Sequence, residues 1–210
     1  MTNSINNFLE MRGKLGDLVY YKWKGKQCVR RCRSYSNKPA SPSQQATRSH
    51  FKACSLMYKF LCEDFLLPWQ KASATTRMNG RNLFISRNID AFRKEGNSPD
   101  FERLHFSTGK ILVPNGLSCT SMGDGQWCLS WEYDDEWTAP DDQLYVVELH
   151  SDNPLCPLQV AGITALRCDR QAVFSTNQQM GLETHLYCYW GNAAKTKFSE
   201  SVYFRNRQNG

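Results

Sequence analysis

Aromatic and cationic residues are interleaved between residues 16 and 33, a combination suited to binding a polyanion. Cations neutralise phosphate groups, and aromatic faces stack on unpaired bases. Asp17 is the only acidic residue of this segment. The residues predicted to form a binding surface are Tyr21, Trp23, Lys24, Lys26, Arg30, Arg31 and Arg33. The surface would bind nucleic acid or a protein partner. The alternative is an amphipathic hairpin whose aromatic rings cover neighbouring helices and whose cations are only solvated.

Acidic residues cluster later in the chain, at 132–137 and 141–142. The cluster lacks the alternating carboxylates, central glycine and distant glutamate of a calcium loop, so we predict a solvated loop. Trp137 lies within it, and a tryptophan beside charges is typical of a contact anchor. Its ring would otherwise fold back onto the neighbouring sheet. An enzyme alternative would use Asp134 or Glu136, because glycoside hydrolysis needs only two well-placed carboxylates.

The cysteines and histidines do not form a metal-binding pattern. No Cys-x-x-Cys occurs among the nine cysteines, and the four histidines are scattered singly. Zinc sites instead pair their ligands at short spacing. The sequence also has no nucleophile elbow, phosphate-binding glycine loop or dinucleotide fingerprint. We therefore predict no metal, no cofactor and no enzymatic activity.

The cysteine content and the apolar pattern bear on the compartment. An odd number of cysteines, placed within strand-like and helix-like segments, favours free thiols in a reducing, cytoplasmic setting. Residues 1–11 lack the cationic start and apolar run of a secretory signal. No apolar stretch approaches the roughly 20 residues that span a bilayer. We expect a cytoplasmic location and no membrane partner.

Strand parity argues against a disulfide between Cys128 and Cys188. Trp127, Leu129 and Trp131 alternate with Cys128 and are the better core residues. Neighbours in a strand point to opposite faces, so Cys128 should point outward if the tryptophans point inward. A bridge between two packed sheets requires both sulfurs inside. We predict a free thiol at Cys128.

The elements expected to position these residues begin with a β-hairpin over 16–33, reversed by Lys24-Gly25-Lys26. Ser41-Pro42-Ser43-Gln44 is typical of a helix start, and an apolar stripe from Phe51 to Phe65 predicts about five helical turns behind it. Pro68 is expected to open a second, short helix, which Asn79-Gly80 ends. A third helix is predicted over 81–94.

Beyond residue 96 the apolar period changes from helical to two. The predicted strands are Glu102–Phe106, Lys110–Val113, Leu117–Ser121, Gln126–Trp131, Leu144–Leu149, Leu166–Ser175, Thr184–Trp190 and Ser201–Phe204. Short strands at this spacing, with turn residues between them, favour an antiparallel sandwich. The predicted fold class is α+β: an N-terminal β-hairpin with two or three helices, then an antiparallel β-sandwich.

Charge divides the chain at the same point. Residues 1–96 hold 18 Lys and Arg against 6 Asp and Glu, and residues 97–210 hold 8 against 14. The predicted domains are therefore 1–96, a basic hairpin-plus-helices region, and 97–210, the sandwich. A basic region beside an acidic scaffold is typical of a contact surface.

Several segments of the chain are similar to known families. Trp127-x-Leu129-x-Trp131, Leu144–Val147 and Leu186–Ala193 are similar to strands of fibronectin type III and immunoglobulin-like sandwiches, which implies an interaction or spacer module. A second set of residues consists of Gly13–Val19, Trp23–Lys26, Val29-Arg30, Pro39, Pro42, Gln45, Arg48, Phe51, Asn79-Gly80 and the segment Phe106–Leu112. This set resembles a family of uncharacterised Bacteroidetes proteins that carry a domain of unknown function. The basic N-terminal run is also similar to small proteins of phage regions.

The function predicted from these features is a non-enzymatic interaction or structural protein, related to a mobile element or a phage assembly. Its partner would be another protein or a second copy of the chain. The alternative is a nucleic-acid-binding protein that uses the basic aromatic hairpin 16–33.

Overall fold

The computed structural model describes residues 11–34, 39–93, 98–133, 136, 138–177 and 183–205. The chain divides into two compact units, Met1–Ser41 and Pro42–Gly210. This grouping differs from the predicted domains 1–96 and 97–210. The reason is that the helices on the N-terminal side of residue 96 share a hydrophobic core with strands on its C-terminal side.

The first unit contains a three-stranded antiparallel sheet, which we call the basic meander. Its strands are β1 (Gly13–Leu15), β2 (Leu18–Trp23) and β3 (Lys26–Arg31), in the order β1-β2-β3. The predicted hairpin is therefore observed as β2 and β3, and β1 is an addition to it. Lys24 and Gly25 form the two-residue turn, with φ angles of 47° and 77°. Left-handed conformations at both positions match the right-handed twist of a hairpin.

The second unit begins with three helices: α1 (Pro42–Phe60), α2 (Glu63–Ser73) and α3 (Gly80–Asn88). Pro42 opens α1 as predicted. The apolar stripe does not stay on one helix, because α1 ends at Phe60 and Phe65 belongs to α2. The Asn79 side chain caps α3 by accepting a hydrogen bond from the Asn82 amide at 2.8 Å. The last predicted helix is shorter than expected, and a 3₁₀ turn follows it over Ile89–Phe92.

The prediction that Pro68 opens the second helix is wrong. Pro68 lies inside α2, which begins five residues earlier with Glu63 and Asp64 in its first turn. A proline there forfeits one helical hydrogen bond. Acidic residues at the N-terminus favour the helix through its dipole, and Phe65 and Trp69 on the same helix are fully buried. Tertiary packing thus stabilises a helix that local propensity would divide.

Seven strands follow among the described residues of the second unit: β4 (Ser118–Gly123), β5 (Gln126–Ser130), β6 (Gln143–His150), β7 (Leu158–Gln159), β8 (Gln171–Ser175), β9 (Thr184–Gly191) and β10 (Val202–Arg205). They form one sheet in the order β4-β5-β8 and another in the order β10-β9-β6-β7. All pairings between them are antiparallel. The predicted α+β class with an antiparallel, fibronectin-like sandwich is confirmed.

Two predicted strands are not observed. Within Glu102–Phe106, the residues 101–103 form a 3₁₀ turn, and Leu104 and Phe106 are buried without strand pairing. Lys110–Val113 contributes a single bridge, from Ile111 to Ser199. Alternating apolar residues in these two segments pack between the layers of the unit. The hydrophobicity of the sequence therefore has a period of two here, although the segments are not paired as strands.

The four-stranded sheet is covered on both faces. One face packs on the three-stranded sheet through Trp127, Leu129, Leu144, Cys188 and Trp190. Residues of the opposite face, which include Tyr145, Val147, Tyr187 and Tyr189, share a second core with residues of all three helices. The unit therefore has three layers, with the helices over the outer face of the sandwich. Among the described residues, no helix is both long enough and apolar enough to cross a membrane.

Candidate functional site

The basic meander is held by its own hydrogen bonds and by two short turns. Gly16, with a φ of 56°, begins the turn between β1 and β2. The Cys32 amide donates to the Asp17 carbonyl oxygen at 2.6 Å, which closes the end of the sheet. The Gln27 side chain donates to the Met11 carbonyl oxygen at 2.7 Å and ties the preceding segment to β3.

The register of the meander divides its side chains between two faces. Tyr21 lies opposite Cys28, Trp23 opposite Lys26, and Val19 opposite both Arg30 and Lys14. Directly paired residues of an antiparallel sheet share a face. We call this the aromatic face; it consists of Lys14, Val19, Tyr21, Trp23, Lys26, Cys28 and Arg30. The other, the aliphatic face, consists of Leu15, Leu18, Tyr20, Lys22, Gln27, Val29 and Arg31.

Large apolar side chains are exposed on both faces of the meander. Trp23 is 46% exposed and Tyr21 40% on the aromatic face, and Leu15 and Val29 are 59% and 50% exposed on the aliphatic face. Five of the twelve exposed large apolar residues among the described residues belong to the meander. Three short strands without a buried face are weakly stable alone, so this surface favours a covering partner.

The structure separates the predicted binding residues. Tyr21, Trp23, Lys26 and Arg30 lie together on the aromatic face. Arg31 belongs to the aliphatic face, opposite Leu18. Lys24 occupies the turn, and Arg33 lies beyond the end of β3. Trp137 lies outside the described residues, so its predicted contact role is untested.

The prediction overlooked the aliphatic face. Leu18 and Val29 lie within the predicted hairpin 16–33 and Leu15 lies just before it, and none of them was predicted to bind a partner. Their alternation with the aromatic-face residues was nevertheless visible in the sequence. What could not be read from the sequence is that Leu15, Leu18 and Val29 are exposed in the folded chain. Exposure depends on the neighbours of the sheet, which strand periodicity does not report.

The cysteines follow the predicted parity. Trp127 and Leu129 are buried against the four-stranded sheet, and Cys128 lies on the opposite side of β5, where its sulfur accepts from the Gln171 amide at 3.1 Å. Cys188 is fully buried, and burial raises the pKa of its thiol well above the ordinary value. All nine cysteines are among the described residues, and all are free thiols. Within the same part of the chain, no group of three His, Cys, Asp or Glu side chains is placed to hold a metal ion.

The acidic cluster is only partly described. Glu136 is exposed, whereas Asp134 and Asp135 lie outside the described residues. Asp142 differs from its neighbours, because it is 3% exposed and its Oδ2 accepts a hydrogen bond from Arg167 Nε at 3.1 Å. Burial raises the pKa of Asp142, and the guanidinium beside it partly offsets that rise. This carboxylate is therefore committed to an internal ion pair.

Arg167 is the centre of a buried polar network in the sandwich. Besides Asp142, it donates to the Leu112 carbonyl oxygen at 2.8 Å and lies over the Trp190 ring at 5.5 Å. The Trp131 indole donates to the Arg167 carbonyl oxygen at 2.7 Å. A buried guanidinium needs this many partners because an unpaired charge in a low-dielectric interior is costly. The network joins loops at one end of the two sheets.

A second polar group occupies the outer face of β9. His185 is 2% exposed, its ring stacks on Phe101 at 3.7 Å between centroids, and its Nδ1 lies 2.8 Å from the Tyr203 hydroxyl. Its Nε2 lies 3.7 Å from a carboxylate oxygen of Glu183. Burial lowers the pKa of His185 to about 4, although Glu183 acts in the opposite direction. The imidazole is therefore neutral near pH 7.

Comparisons with known proteins find structural likeness alone. No family model matches the chain, and no curated protein matches it. The chain is similar to the chicken CNTN1 FN1-FN3 domains, at 10% identity and a TM-score of 0.34, over 48% of this chain and 33% of that one. It is also similar to an FN3 domain of human collagen XX, at 12% identity and a TM-score of 0.34, over 48% of this chain and 98% of that one. The chain thus spans about a third of the chicken fragment. Likeness at these TM-scores carries no argument about function.

Proposed function

We propose that the protein is a non-enzymatic interaction or structural protein and that the basic meander is its contact surface. The observation that supports this proposal is the exposure of large apolar side chains on both faces of the sheet. In the Pro42–Gly210 unit, by contrast, a strand of similar composition is completely buried. Burying Leu15, Leu18 and Val29 against a second surface would gain free energy at roughly 25 cal/mol per Å² of apolar area.

Self-association is the form of this proposal that can be tested without a known partner. Sedimentation velocity of the full chain over a concentration series should show reversible association. Leu18→Lys with Val29→Lys, on the aliphatic face, should shift the equilibrium toward monomer. Tyr21→Lys with Trp23→Lys is the matched control, because it adds the same charge to the other face of the same sheet.

The outcomes separate the two faces. Dissociation by the aliphatic pair alone supports the proposed contact. A chain that stays monomeric at every concentration, or equal effects of both pairs, contradicts self-assembly through this face. The unfolding transition of each variant, monitored by the buried tryptophans, verifies that the Pro42–Gly210 unit is intact.

A second candidate function, nucleic-acid binding, is favoured by the aromatic face. Tyr21 and Trp23 are two residues apart on one strand, so their rings project from the same face about 7 Å apart. Lys14, Lys26 and Arg30 surround them on the neighbouring strands. Two adjacent unpaired bases would stack on the rings while the cations contact phosphates. A duplex, whose bases are already stacked, would gain only the charge contacts.

Fluorescence anisotropy with labelled single-stranded and duplex oligonucleotides of equal length tests this candidate. We expect tighter binding of the single strand, with affinity that falls steeply as salt rises. Tyr21→Ser with Trp23→Ser should weaken it by about tenfold or more, since stacking contributes about 1–3 kcal/mol per base. Leu18→Ser with Val29→Ser should leave it unchanged. Absence of binding at low salt, or equal losses in both double variants, would reject the aromatic face as the site.

The finer predictions remain proposals. Membership of the uncharacterised Bacteroidetes family, and a relation to phage or mobile elements, rest on the N-terminal residue resemblance. The cytoplasmic location rests on cysteine composition. Absence of enzymatic activity is likewise a prediction from missing motifs, and Asp134, on which the enzyme alternative partly depends, lies outside the described residues.

A further inference from the structure

A cleft of about 580 Å³ opens within the Pro42–Gly210 unit. It lies between the C-terminal half of α2 and three segments of the sandwich, around residues 108–112, 138–142 and 192–198. Pockets that bind small molecules are commonly of this size and form where separate elements meet. The cleft shares no residue with the basic meander or with the buried His185 group.

One part of the cleft wall is apolar. Pro68 and Ala72 of α2 contribute to it from one side, and Ile111, Leu112 and Phe198 from the other. Leu112 is 58% exposed, which is unusual for a leucine beside a buried core. An apolar wall open to solvent at one end suits a ligand with a hydrocarbon body.

The charged part of the wall is cationic. Lys71, Lys110 and Lys197 line the cleft from three different elements. No ion pair joins these lysines to any residue that the structure describes. The acidic residue among the lining residues, Asp142, is already paired with Arg167. The lining residues therefore carry a net positive charge, which favours an anionic ligand.

We propose that this cleft binds a small organic anion, whose carboxylate or phosphate group contacts the lysines and whose hydrocarbon body lies along Ile111, Leu112 and Phe198. Ammonium contacts with either anion are charge-assisted hydrogen bonds, so the two head groups share the same recognition chemistry. The proposal does not depend on the function of the basic meander.

The test uses the full chain and three soluble probes below their micelle concentrations: octanoate, octyl phosphate and the neutral octyl glucoside. Isothermal titration calorimetry should show saturable binding of at least one anionic probe, and which of the two binds more tightly identifies the head group. The neutral probe should bind about tenfold more weakly or worse, because it lacks charge-assisted hydrogen bonds. Amide NMR shifts on binding should be confined to the segments that line the cleft, near residues 68–75, 108–112, 138–142 and 192–198.

Charge variants make the test specific to the cleft. Lys110→Glu with Lys197→Glu should weaken binding of the anionic probe by about tenfold or more. Lys52→Glu with Lys59→Glu, two exposed positions on α1, changes net charge equally and should have no effect. Unchanged unfolding midpoints establish that the variants are folded.

The proposal would be overturned by no saturable binding of either anion, by equal binding of the neutral probe, or by equal losses in both variant pairs. Inorganic phosphate alone should bind far more weakly than octyl phosphate. Equal affinities for these two would show that the apolar wall takes no part, which also contradicts the proposed ligand class.

Discussion

Strands β2 and β9 have similar residue types and opposite environments. β2 reads Leu-Val-Tyr-Tyr-Lys-Trp and β9 reads Thr-His-Leu-Tyr-Cys-Tyr-Trp-Gly. Every residue of β9 is buried, whereas most of β2 is exposed, and Trp23 is 46% exposed against 0% for Trp190. β9 lies centrally in a sheet with a layer on each face, whereas among the described residues none in the sheet that contains β2 is buried. Burial is thus decided by the number of layers around a strand, more than by its composition.

Replacement of the two tryptophans gives the largest expected contrast. Trp190→Ala should lower the free energy of unfolding of the Pro42–Gly210 unit by about 3–5 kcal/mol, because it opens a cavity beside Trp131 and Arg167. Trp23→Ala should change it by less than about 0.5 kcal/mol, since the ring is half exposed in the other unit. Urea denaturation monitored by circular dichroism measures both. Similar losses in the two variants would mean that the meander is part of the cooperative core.

The buried ion pair gives the next contrast with the solvated cations of the meander. Arg167→Met should cost about 3 kcal/mol or more, because Asp142 is left buried without its partner. Adding Asp142→Leu should recover part of that loss, since the uncompensated charge is removed. Arg30→Met, on the exposed sheet, is the control and should have little effect. A double variant less stable than Arg167→Met would show that the pair is not the source of the loss.

The unfolding free energy should depend more strongly on pH in the Pro42–Gly210 unit than in the basic meander, and His185 should contribute to that dependence. Its folded-state pKa is lowered to about 4, so the unfolded chain takes up the proton first as the pH falls below 6.5. The stability from the neutral imidazole is fully present above pH 6.5 and is lost as the pH falls towards 4. The groups facing His185 are Glu183, Arg205, Tyr203 and His150.

Denaturation midpoints from pH 7 to pH 4 check this expectation. His185→Gln removes the titration and should reduce the loss of unfolding free energy in that range by roughly 2 kcal/mol. Burial also lowers the pKa of His105, but that residue is present in both proteins and its contribution cancels. Identical pH profiles for the wild type and the variant would assign the dependence to other groups.

The smallest expected effect concerns two cysteines of the sandwich, Cys128 on the outer side of β5 and Cys188 in the core. Cys128→Ser should change the unfolding free energy by about 0.5 kcal/mol or less, because the side chain lies on the outer face of β5. Thiol labelling under native conditions should modify Cys128 quickly and Cys188 only on unfolding, since the buried thiol has a raised pKa and reacts as a thiolate. Mass spectrometry of labelled peptides distinguishes the two. Rapid native labelling of Cys188 would contradict the observed parity.

Local patterns predicted the elements whose signals lie within a few residues. The glycine turn after Lys24 and the proline at the start of α1 each depend on neighbouring backbone groups, and each was found at its predicted place. Asn79-Gly80 was predicted to end the second helix, whereas α2 ends at Ser73 and Asn79 caps the start of α3. The alternation around Cys128 predicted correctly which side of β5 packs inward. Pro68 and the segment 102–106 were interpreted incorrectly, because there tertiary packing outweighs the local preference.

The candidate sites, too, could be predicted from the sequence only in part. Sequence alone determined the composition of the basic meander and the alternation that divides its faces, because a strand has a period of two whatever surrounds it. Only the tertiary structure decided that large apolar side chains are exposed on both faces of the meander and that helices cover the outer face of the sandwich. It also decided that Lys71, Lys110 and Lys197, which are far apart in the chain, line one cleft. These features depend on which layers meet in space, and contacts between distant residues leave no local pattern in one sequence.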